Sequence, residues 1–462
     1  MIAVIAEKPS VARDLAKVLG ANKRGNGYLH GGGYTVTWAI GHLVSLPEPH
    51  EIRPQWKKWR RGELPMLPRQ WPLVVSESTR DQFEVVRRVL TSDKIERVVC
   101  ATDAGREGEL IFRYIYEAAG CRKPVQRLWI SSLTPEAIRR GFQNLRDGSD
   151  FEPLADAARG RSRADWLVGM NLSRAATLAY SRDEVLTVGR VQTPTLAMVV
   201  ERELEIRAFV PEDYLEVVAS FTPAPDPPEA TDPYKGSWFR GKKATAEARR
   251  LPADGEEAAR IVERAKAGDA AIESITSQTR RIPPPLLYDL TELQRHGNRL
   301  FGWSARRTLS VAQTLYERHK LISYPRTDSR HLSQDVAATL AEVVDAVRGP
   351  YEELLAPGTG ERCLGRRFVD DAKVSDHHAI IPTTTSAAGL SLSADERKLY
   401  DLFCRRLLAA WHEDHIYLIT RVVTAVTTAA AEQDPIVDRY YSRGSMVKQD
   451  GWKVLDLGYG RK

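Results

Sequence analysis

The sequence predicts a multi-domain protein in which an α/β N-terminal domain is joined to helical and β-rich domains. Three observations predict it. At 462 residues the chain exceeds one ordinary hydrophobic core. As far as residue 150, short apolar runs alternate with helical periodicity, which implies parallel strands linked by crossover helices. Past Pro283-Pro284-Pro285 the pattern is helical, and beyond residue 411 it becomes strand-like again.

Ile2–Ala6 is a continuously apolar run of the kind buried on both faces of a sheet. Ser10–Leu19 follows as a helix, with Pro9 at its start where a missing N–H costs nothing. Tyr34–Ile40 alternates like a strand. Glu51–Gln70 is rich in Pro, Trp and cations (Arg53, Lys57, Lys58, Arg60, Arg61, Arg69) and reads as an inserted, mostly solvated loop. Phe83–Leu90 reads as a helix, Arg97–Ala101 as a buried strand and Glu107–Ala118 as a helix. Residues 151–210 are helical. Tyr214–Phe221 is strand-like, Pro223–Pro233 is a Pro-rich loop, Gly255–Ala267 a helix and Ala270–Thr276 a strand. Ser304–Arg318 carries Leu309, Ala312, Leu315 and Tyr316 close to helix spacing, and His415–Thr427 and Ile436–Tyr441 read as strands. The expected domains are 1–150, 151–210 and 281–411, with the last inserted into a β-rich domain made of 211–280 and 412–462.

A net charge of +6 and a pI near 9.0 suit a polyanionic partner without proving one. Cys100, Cys121, Cys363 and Cys404 lie far apart with no C-x-x-C pair, which argues against a zinc module and a disulfide framework and for a reducing compartment. No window reaches the roughly 18 uncharged apolar residues of a membrane span, so the expectation is a soluble cytoplasmic protein.

Four stretches have the makings of chemistry. Tyr324-Pro325-Arg326-Thr327-Asp328-Ser329 sits in an irregular segment, because Pro325 pushes Tyr324 out of the helical region. Eight Lys or Arg fall between Arg295 and Arg330, against Glu317 and Asp328. A phenol ionises near pH ~10 and needs such cations to act as a nucleophile on a phosphate. Taken alone, the segment reads more simply as a half-buried tyrosine beside a loop. Glu7 lies just past the first strand, with Asp103 and Glu107 just past the strand ending at Ala101, where parallel sheets gather their ligands. Three carboxylates there suit Mg²⁺, or are simply acids at helix N-termini. Gly189-Arg190-Val191-Gln192-Thr193-Pro194 offers Arg190, Gln192 and Thr193 to phosphate oxygens, though a capped helix start explains it alone. The preceding helix displays Arg159, Arg161, Arg163 and Arg174, as a solvated face or a backbone-tracking channel. In Asp376-His377-His378-Ala379-Ile380-Ile381-Pro382-Thr383 the adjacent histidines do not share a helix face, which argues against a two-His metal site. One imidazole could bind a phosphate or simply be structural.

Together these stretches resemble the type IA DNA topoisomerases. Ala6-Glu7-Lys8-Pro9-Ser10, Asp103-Ala104-Gly105-Arg106-Glu107-Gly108-Glu109, Gly189–Pro194, Tyr324–Ser329 and His377–Thr383 occur in the family's order. The resemblance implies a toroidal architecture: a Toprim domain (1–150), the first half of a helical base binding single-stranded DNA (151–210), a β-rich arch (211–280 and 412–462) and a helical gate carrying the nucleophile (281–411). It implies that Tyr324 cleaves single-stranded DNA through a transient 5′-phosphotyrosine without ATP, relaxing negative supercoils or decatenating DNA. Arg326 and Lys8 would stabilise the phosphate and Glu7 would protonate the leaving 3′-oxygen. Glu7, Asp103 and Glu107 would hold Mg²⁺, and Arg161, Arg190, Gln192, Thr193 and His377 would contact DNA. The implied protein is a nucleoid-associated monomer acting on single-stranded and negatively supercoiled DNA, with a helicase as a candidate partner.

Two features depart from the family. Its second motif often reads Asp-x-Asp-x-Glu, but the middle position here is Gly105, with Glu109 as a candidate substitute ligand. The sequence also stops at Lys462, soon after Gly451-Trp452, where family members continue into the second half of the base. The expectation is a truncated or naturally short member of a family that cleaves one strand and passes another, and a short base would still bind or cleave single strands even where full strand passage fails. The alternatives are a weakened single-stranded DNA-binding fragment and a Toprim nuclease, the latter leaving the tyrosine segment without a task.

Overall fold

A computed structural model describes residues 1–130, 133–181, 183–223, 232–429 and 435–457. The chain divides into two compact units, Met1–Leu204 with Leu286–Leu408, and Glu205–Pro285 with Ala409–Lys462.

The first unit begins with β1 (Ile2–Ala6), α1 (Pro9–Leu19), β2 (Lys23–Arg24), β3 (Tyr28–Gly31) and β4 (Tyr34–Trp38). A ribbon of β5 (Val44–Ser45) and β6 (Val74–Val75) brackets the short α2 (Pro49–Ile52), and α3 (Arg80–Thr91) follows. Then come β7 (Arg97–Ala101), α4 (Arg106–Ala118), β8 (Val125–Arg127), α5 (Pro135–Gln143) and β9 (Arg146–Asp147). The seven-stranded sheet runs β2-β3-β4-β1-β7-β8-β9, and β1 pairs in parallel with both β4 and β7.

The apolar character of β1 and β7 follows from burial on both faces. Ala3, Ile5, Val98 and Cys100 pack on one side with Phe83, Val86, Leu110 and Ile111. Val4, Ala6, Val99 and Ala101 pack on the other with Val11, Leu15, Leu128 and Ile138. Neighbouring strands β1 and β7 therefore send their following helices, α1 and α4, to opposite faces of the sheet. That divergence opens a crevice at their carboxyl ends.

Two long helices follow, α6 (Glu152–Tyr180) and α7 (Gln192–Arg207). The Glu51–Gln70 segment is largely exposed, as expected, but two of its apolar residues dock on α6. Trp56 and Met66 are buried against Trp166, Asn171 bonds both the N–H and the carbonyl of Met66 (2.5 and 3.0 Å), and Arg174 bonds Trp56 O at 2.6 Å. Arg174, expected on a displayed face, is thus buried. The α7 helix buries none of its residues, and Leu196, Met198, Val199 and Leu204 are all exposed.

Residues 286–408 of the first unit are mostly helical, with helices at Leu290–Phe301, Ala305–Glu317 and Ala394–Leu408. Ser304 caps the second by accepting from Arg307 N at 3.2 Å, and Thr308, Ala312 and Leu315 form its buried stripe. Lys320 takes a left-handed conformation (φ 58°) that ends the helical run.

The second unit is a five-stranded antiparallel sheet covered by the helix Glu256–Ala267. Its Tyr214–Phe221 segment is split into Tyr214–Leu215 and Val218–Phe221, while the strands Asp269–Ile282, His415–Thr428 and Ile436–Gln449 form ribbons longer than expected. Tyr234–Phe239 adds a strand that the sequence pattern did not reveal. Most of the expected Pro-rich loop, residues 224–231, lies outside the described residues.

Candidate active site

Glu7 and Lys8 leave the end of β1, with Lys8 as the N-terminal cap of α1, and Asp103 leaves the end of β7. The divergence of the two helices brings them together. Lys8 Nζ lies 3.1 Å from Asp103 Oδ2 and 3.5 Å from Glu7 Oε1, and Asp103 N–H donates to Glu7 Oε2 at 3.2 Å. Arg127, nearly inaccessible at 1% exposure, fixes this loop: its guanidinium donates to the carbonyls of Cys100, Thr102, Leu128 and Asp103 at 2.6–3.1 Å. Gly108 lets α4 pass the loop, since a Cβ there would collide with the Asp103 carbonyl.

The tyrosine segment is joined to the histidine motif by backbone and side-chain hydrogen bonds. Ser323 N donates to Ile381 O at 2.9 Å, Thr383 N to Leu321 O at 2.9 Å, and Thr327 Oγ1 to His377 O at 2.8 Å. Tyr324 and His377 therefore arrive as one piece, their ring centroids 4.4 Å apart. Lys8 Nζ lies 4.3 Å from the centre of the Tyr324 ring, and His377 Nε2 lies 3.3 Å from Asp103 Oδ2. The crevice between them is small, about 60 Å³, lined among others by Lys8, Asp103, Tyr316, Tyr324, Asp376 and His377.

Burial raises the Glu7 carboxyl, and the Asp103 charge raises it further. Burial also pushes Asp103 upward, but the hydrogen bond and charge of His377, with Lys8, outweigh it and hold the group at about 2. Burial would lower the Lys8 ammonium, yet Asp103 and Glu7 raise it, so it stays cationic. The pocket therefore presents a protonatable acid, a fixed cation and an ionised carboxylate beside a phenol.

The other expected site residues divide. Glu107 bonds His42 Nε2 at 2.7 Å, on the rim. Arg326 is exposed, with no ion pair among the described residues. Arg190 pairs with Asp165 at 2.8 Å and Arg161 approaches the same carboxylate at 3.8 Å. Thr193 Oγ1 accepts from Gly189 N at 3.0 Å, so this hydroxyl shapes the turn into α7, and Gln192 opens that helix. Glu109 is not a substitute ligand: it is buried, bonded to Arg113 at 2.8 Å and within 3.2 Å of Arg127. Sequence reasoning missed Arg127, His42 and Asp376. An arginine running into the apolar Leu128-Trp129-Ile130 was the available signal for the first, whereas His42 and Asp376 acquire meaning only through chain folding.

The carboxylate oxygens of Glu7, Asp103 and Glu107 suit a hard divalent cation, and the space beside Gly105 that a Cβ would fill is lined by a further carboxylate, Asp376. Among the described residues no three His, Cys, Asp or Glu side chains converge on one point, and Lys8, His377 and His42 lie against the acids instead.

Comparison with known proteins agrees with this geometry. The family described as DNA topoisomerase matches residues 149–461, and the Toprim domain matches residues 2–133. DNA topoisomerase 3 of Shouchella clausii is 47% identical over 410 residues, covering 88% of this chain and 54% of that protein. DNA topoisomerase 3 of Bacillus subtilis is 42% identical over 454 residues, covering 98% and 59%. The chain thus spans somewhat more than half the length of these curated relatives. Full-length topoisomerase I from Thermotoga maritima shares the fold, with a TM-score of 0.63 at 23% identity over 98% of this chain and 67% of that one. The chain belongs to the type IA DNA topoisomerase family, with a Toprim domain at its N-terminal end.

Proposed function

We propose that this chain cleaves and rejoins single-stranded DNA through Tyr324, as the cutting part of an ATP-independent topoisomerase that relaxes negative supercoils or decatenates DNA. The observation that carries the reading is the Tyr324 ring flanked by Lys8 and His377, over the acid pair at the ends of β1 and β7. DNA topoisomerase 3 relatives support the same reaction class.

The Tyr324 oxygen bonds to phosphorus as the bond from phosphorus to the 3′-oxygen breaks. The phenolic proton goes to solvent, and Glu7, raised by burial and by Asp103, returns a proton to the leaving 3′-oxygen. Lys8, Arg326 and His377 offset charge growing on the phosphate, with arginine's fixed fork of donors suited to that task. Energy kept in the phosphotyrosine drives rejoining. Glu7, Asp103 and Glu107 would hold Mg²⁺, whose positive charge would help anchor the DNA backbone. Arg161, Arg190, Gln192 and Thr193 would steer the strand.

A crevice of about 60 Å³ has room for an ion or a pair of waters but not a nucleotide. In the proposal the tyrosine segment therefore moves to admit DNA, which gives residues 281–411 the role of gate. Residues 151–210 take the role of base, and 211–280 with 412–462 that of arch. We place the protein with the nucleoid in the cytoplasm, as a monomer supplied with single strands by a helicase; among the described residues no helix is long and apolar enough to cross a membrane.

The test mixes the protein with 5′- and 3′-labelled single-stranded oligonucleotide and Mg²⁺, then denatures it. A covalent adduct on the 5′-phosphate side that disappears in Tyr324→Phe is expected. Free cleaved ends persisting in that variant would point to a nuclease, and binding without any adduct would point to a binding fragment.

A further inference from the structure

Gly105 is not required by its backbone. Its φ of −159° and ψ of −179° are extended values open to any residue. What a side chain would meet is the Asp376 carboxylate: a Cβ at residue 105 would come inside contact distance of both of its oxygens, so that carboxylate would have to shift. The gap in the Asp103–Glu107 loop is therefore filled by a carboxylate from far along the chain.

Asp376 is placed with little to balance its charge. Among the described residues its side chain has no hydrogen bond or ion pair. Of the charged groups facing it, Asp103 and Asp328 oppose its charge while His377 and Arg127 favour it. It immediately precedes His377, which touches Asp103, and both belong to the segment joined to Tyr324. Asp103 already has Lys8 and His377 beside it, whereas Asp376 has no such partner among the described residues, so a further cation in the crevice would relieve the repulsion between the two carboxylates.

We infer that Asp376 is a ligand for the divalent cation of this crevice, delivered from the tyrosine segment into the space that Gly105 leaves open. The inference rests on the proposed function only in taking the crevice as the cation site. It has a mechanical consequence. Because Asp376 is tied to Tyr324, the ligand set is complete only while the tyrosine is seated, and cation binding and seating favour one another.

The test is a titration of metal-free protein with Mn²⁺, which shares the oxygen-ligand preference, reading free Mn²⁺ by electron paramagnetic resonance. Asp376→Asn should weaken binding about tenfold or more, in the range seen when groups supporting a metal site are removed. Gly105→Ala, which displaces the carboxylate without removing it, should weaken binding in the same direction. Returning a carboxylate from the other side, in the double variant Gly105→Asp with Asp376→Ala, should recover most of the affinity. Asp328→Asn controls for net charge and should change little.

Wild-type affinity in both Asp376→Asn and Gly105→Ala would overturn the inference. So would an equal loss in Asp328→Asn, since the effect would then be one of field and not of ligation. If the wild-type chain forms the Tyr324 adduct while Asp376→Asn binds Mn²⁺ normally, this inference falls and the tyrosine chemistry stands. If the wild type forms no adduct but Asp376→Asn loses Mn²⁺, the reverse holds.

Discussion

The first unit contains the same trio of side chains twice, with opposite consequences. At one place the Tyr324 ring has Lys8 Nζ 4.3 Å from its centre and the His377 ring 4.4 Å away. At the other, the Tyr288 ring has the Arg406 guanidinium 4.0 Å from its centre and the His296 ring 5.8 Å away. Tyr288 is 1% exposed, its hydroxyl bonds His296 Nδ1, and Arg406 donates to that hydroxyl at 3.0 Å and to Leu286 O at 2.9 Å. Tyr324 is half-buried, and its hydroxyl has no hydrogen bond among the described residues. A tyrosine, a histidine and a cation thus make a structural knot where the hydroxyl is bonded on two sides and the ring is buried. Where the phenol is left free beside carboxylates, they make a reactive site. Residue type does not decide between these outcomes; satisfaction and access do.

The largest expected contrast comes from removing each hydroxyl. Tyr324→Phe should abolish the covalent DNA adduct and leave the melting temperature close to wild type. Tyr288→Phe should do the opposite, keeping the adduct while losing about 1–3 kcal/mol of stability, because His296 and Arg406 lose a buried partner. Denaturing gels and denaturant unfolding on both variants check this. A Tyr288→Phe chain that folds normally but forms no adduct would break the comparison.

The cations sharpen it further. Lys8→Met should slow adduct formation by about 10²–10³-fold, the scale of losing one preorganised charge at a reacting phosphate. Removing the ammonium also leaves Glu7 and Asp103 to repel each other directly. Arg406→Met should cost stability and leave cleavage by the surviving folded protein near normal. Single-turnover cleavage, corrected for the folded fraction, separates the two.

Next in size is a pH effect confined to the buried trio. Burial lowers His296 to about 4, with help from the charges of Arg406 and Arg299, against an ordinary value of 6.5. A histidine held neutral in the fold takes up its proton only on unfolding. Its contribution is therefore intact above pH ~6.5, is lost as pH falls towards ~4, and changes no further below that. The loss should be on the order of 2–3 kcal/mol. The difference in stability between wild type and His296→Gln, followed from pH 7 to 4, should shrink by that amount. A constant difference would show that His296 titrates normally.

The two trios were unequally legible in the sequence. Tyr324 stood out because Pro325, Arg326 and the acids after β1 and β7 form ordered motifs, and local patterns of that kind survive without coordinates. The strands themselves were legible because burial on both faces leaves continuous apolar runs such as Ile2–Ala6. Tyr288, His296 and Arg406 were silent, since each is an ordinary helix or loop residue until folding closes a separation of 118 positions. Gly105 was noticed as a missing acid, but its filler lay 271 positions away by subtraction, and no local signal points to it. The burial of Arg174 was missed for a related reason: an arginine on a helix looks solvated until a loop such as Glu51–Gln70 folds over it.

The smallest expected effect concerns the join that makes the reactive trio a unit. Thr327 Oγ1 donates to His377 O at 2.8 Å and accepts from Ser329 N at 3.1 Å, so one hydroxyl ties the tyrosine segment to the histidine motif. Thr327→Val keeps the shape and removes both bonds. About 1 kcal/mol of stability should be lost, since a typical hydrogen bond contributes that much net. If the join also holds His377 against Tyr324, adduct formation should fall several-fold at unchanged DNA affinity, because the phosphate would still bind but less often meet a seated tyrosine. Binding anisotropy and single-turnover cleavage on the same preparation test this. A drop in affinity with an unchanged cleavage rate would mean that Thr327 serves the DNA surface and that the trio holds its geometry without it.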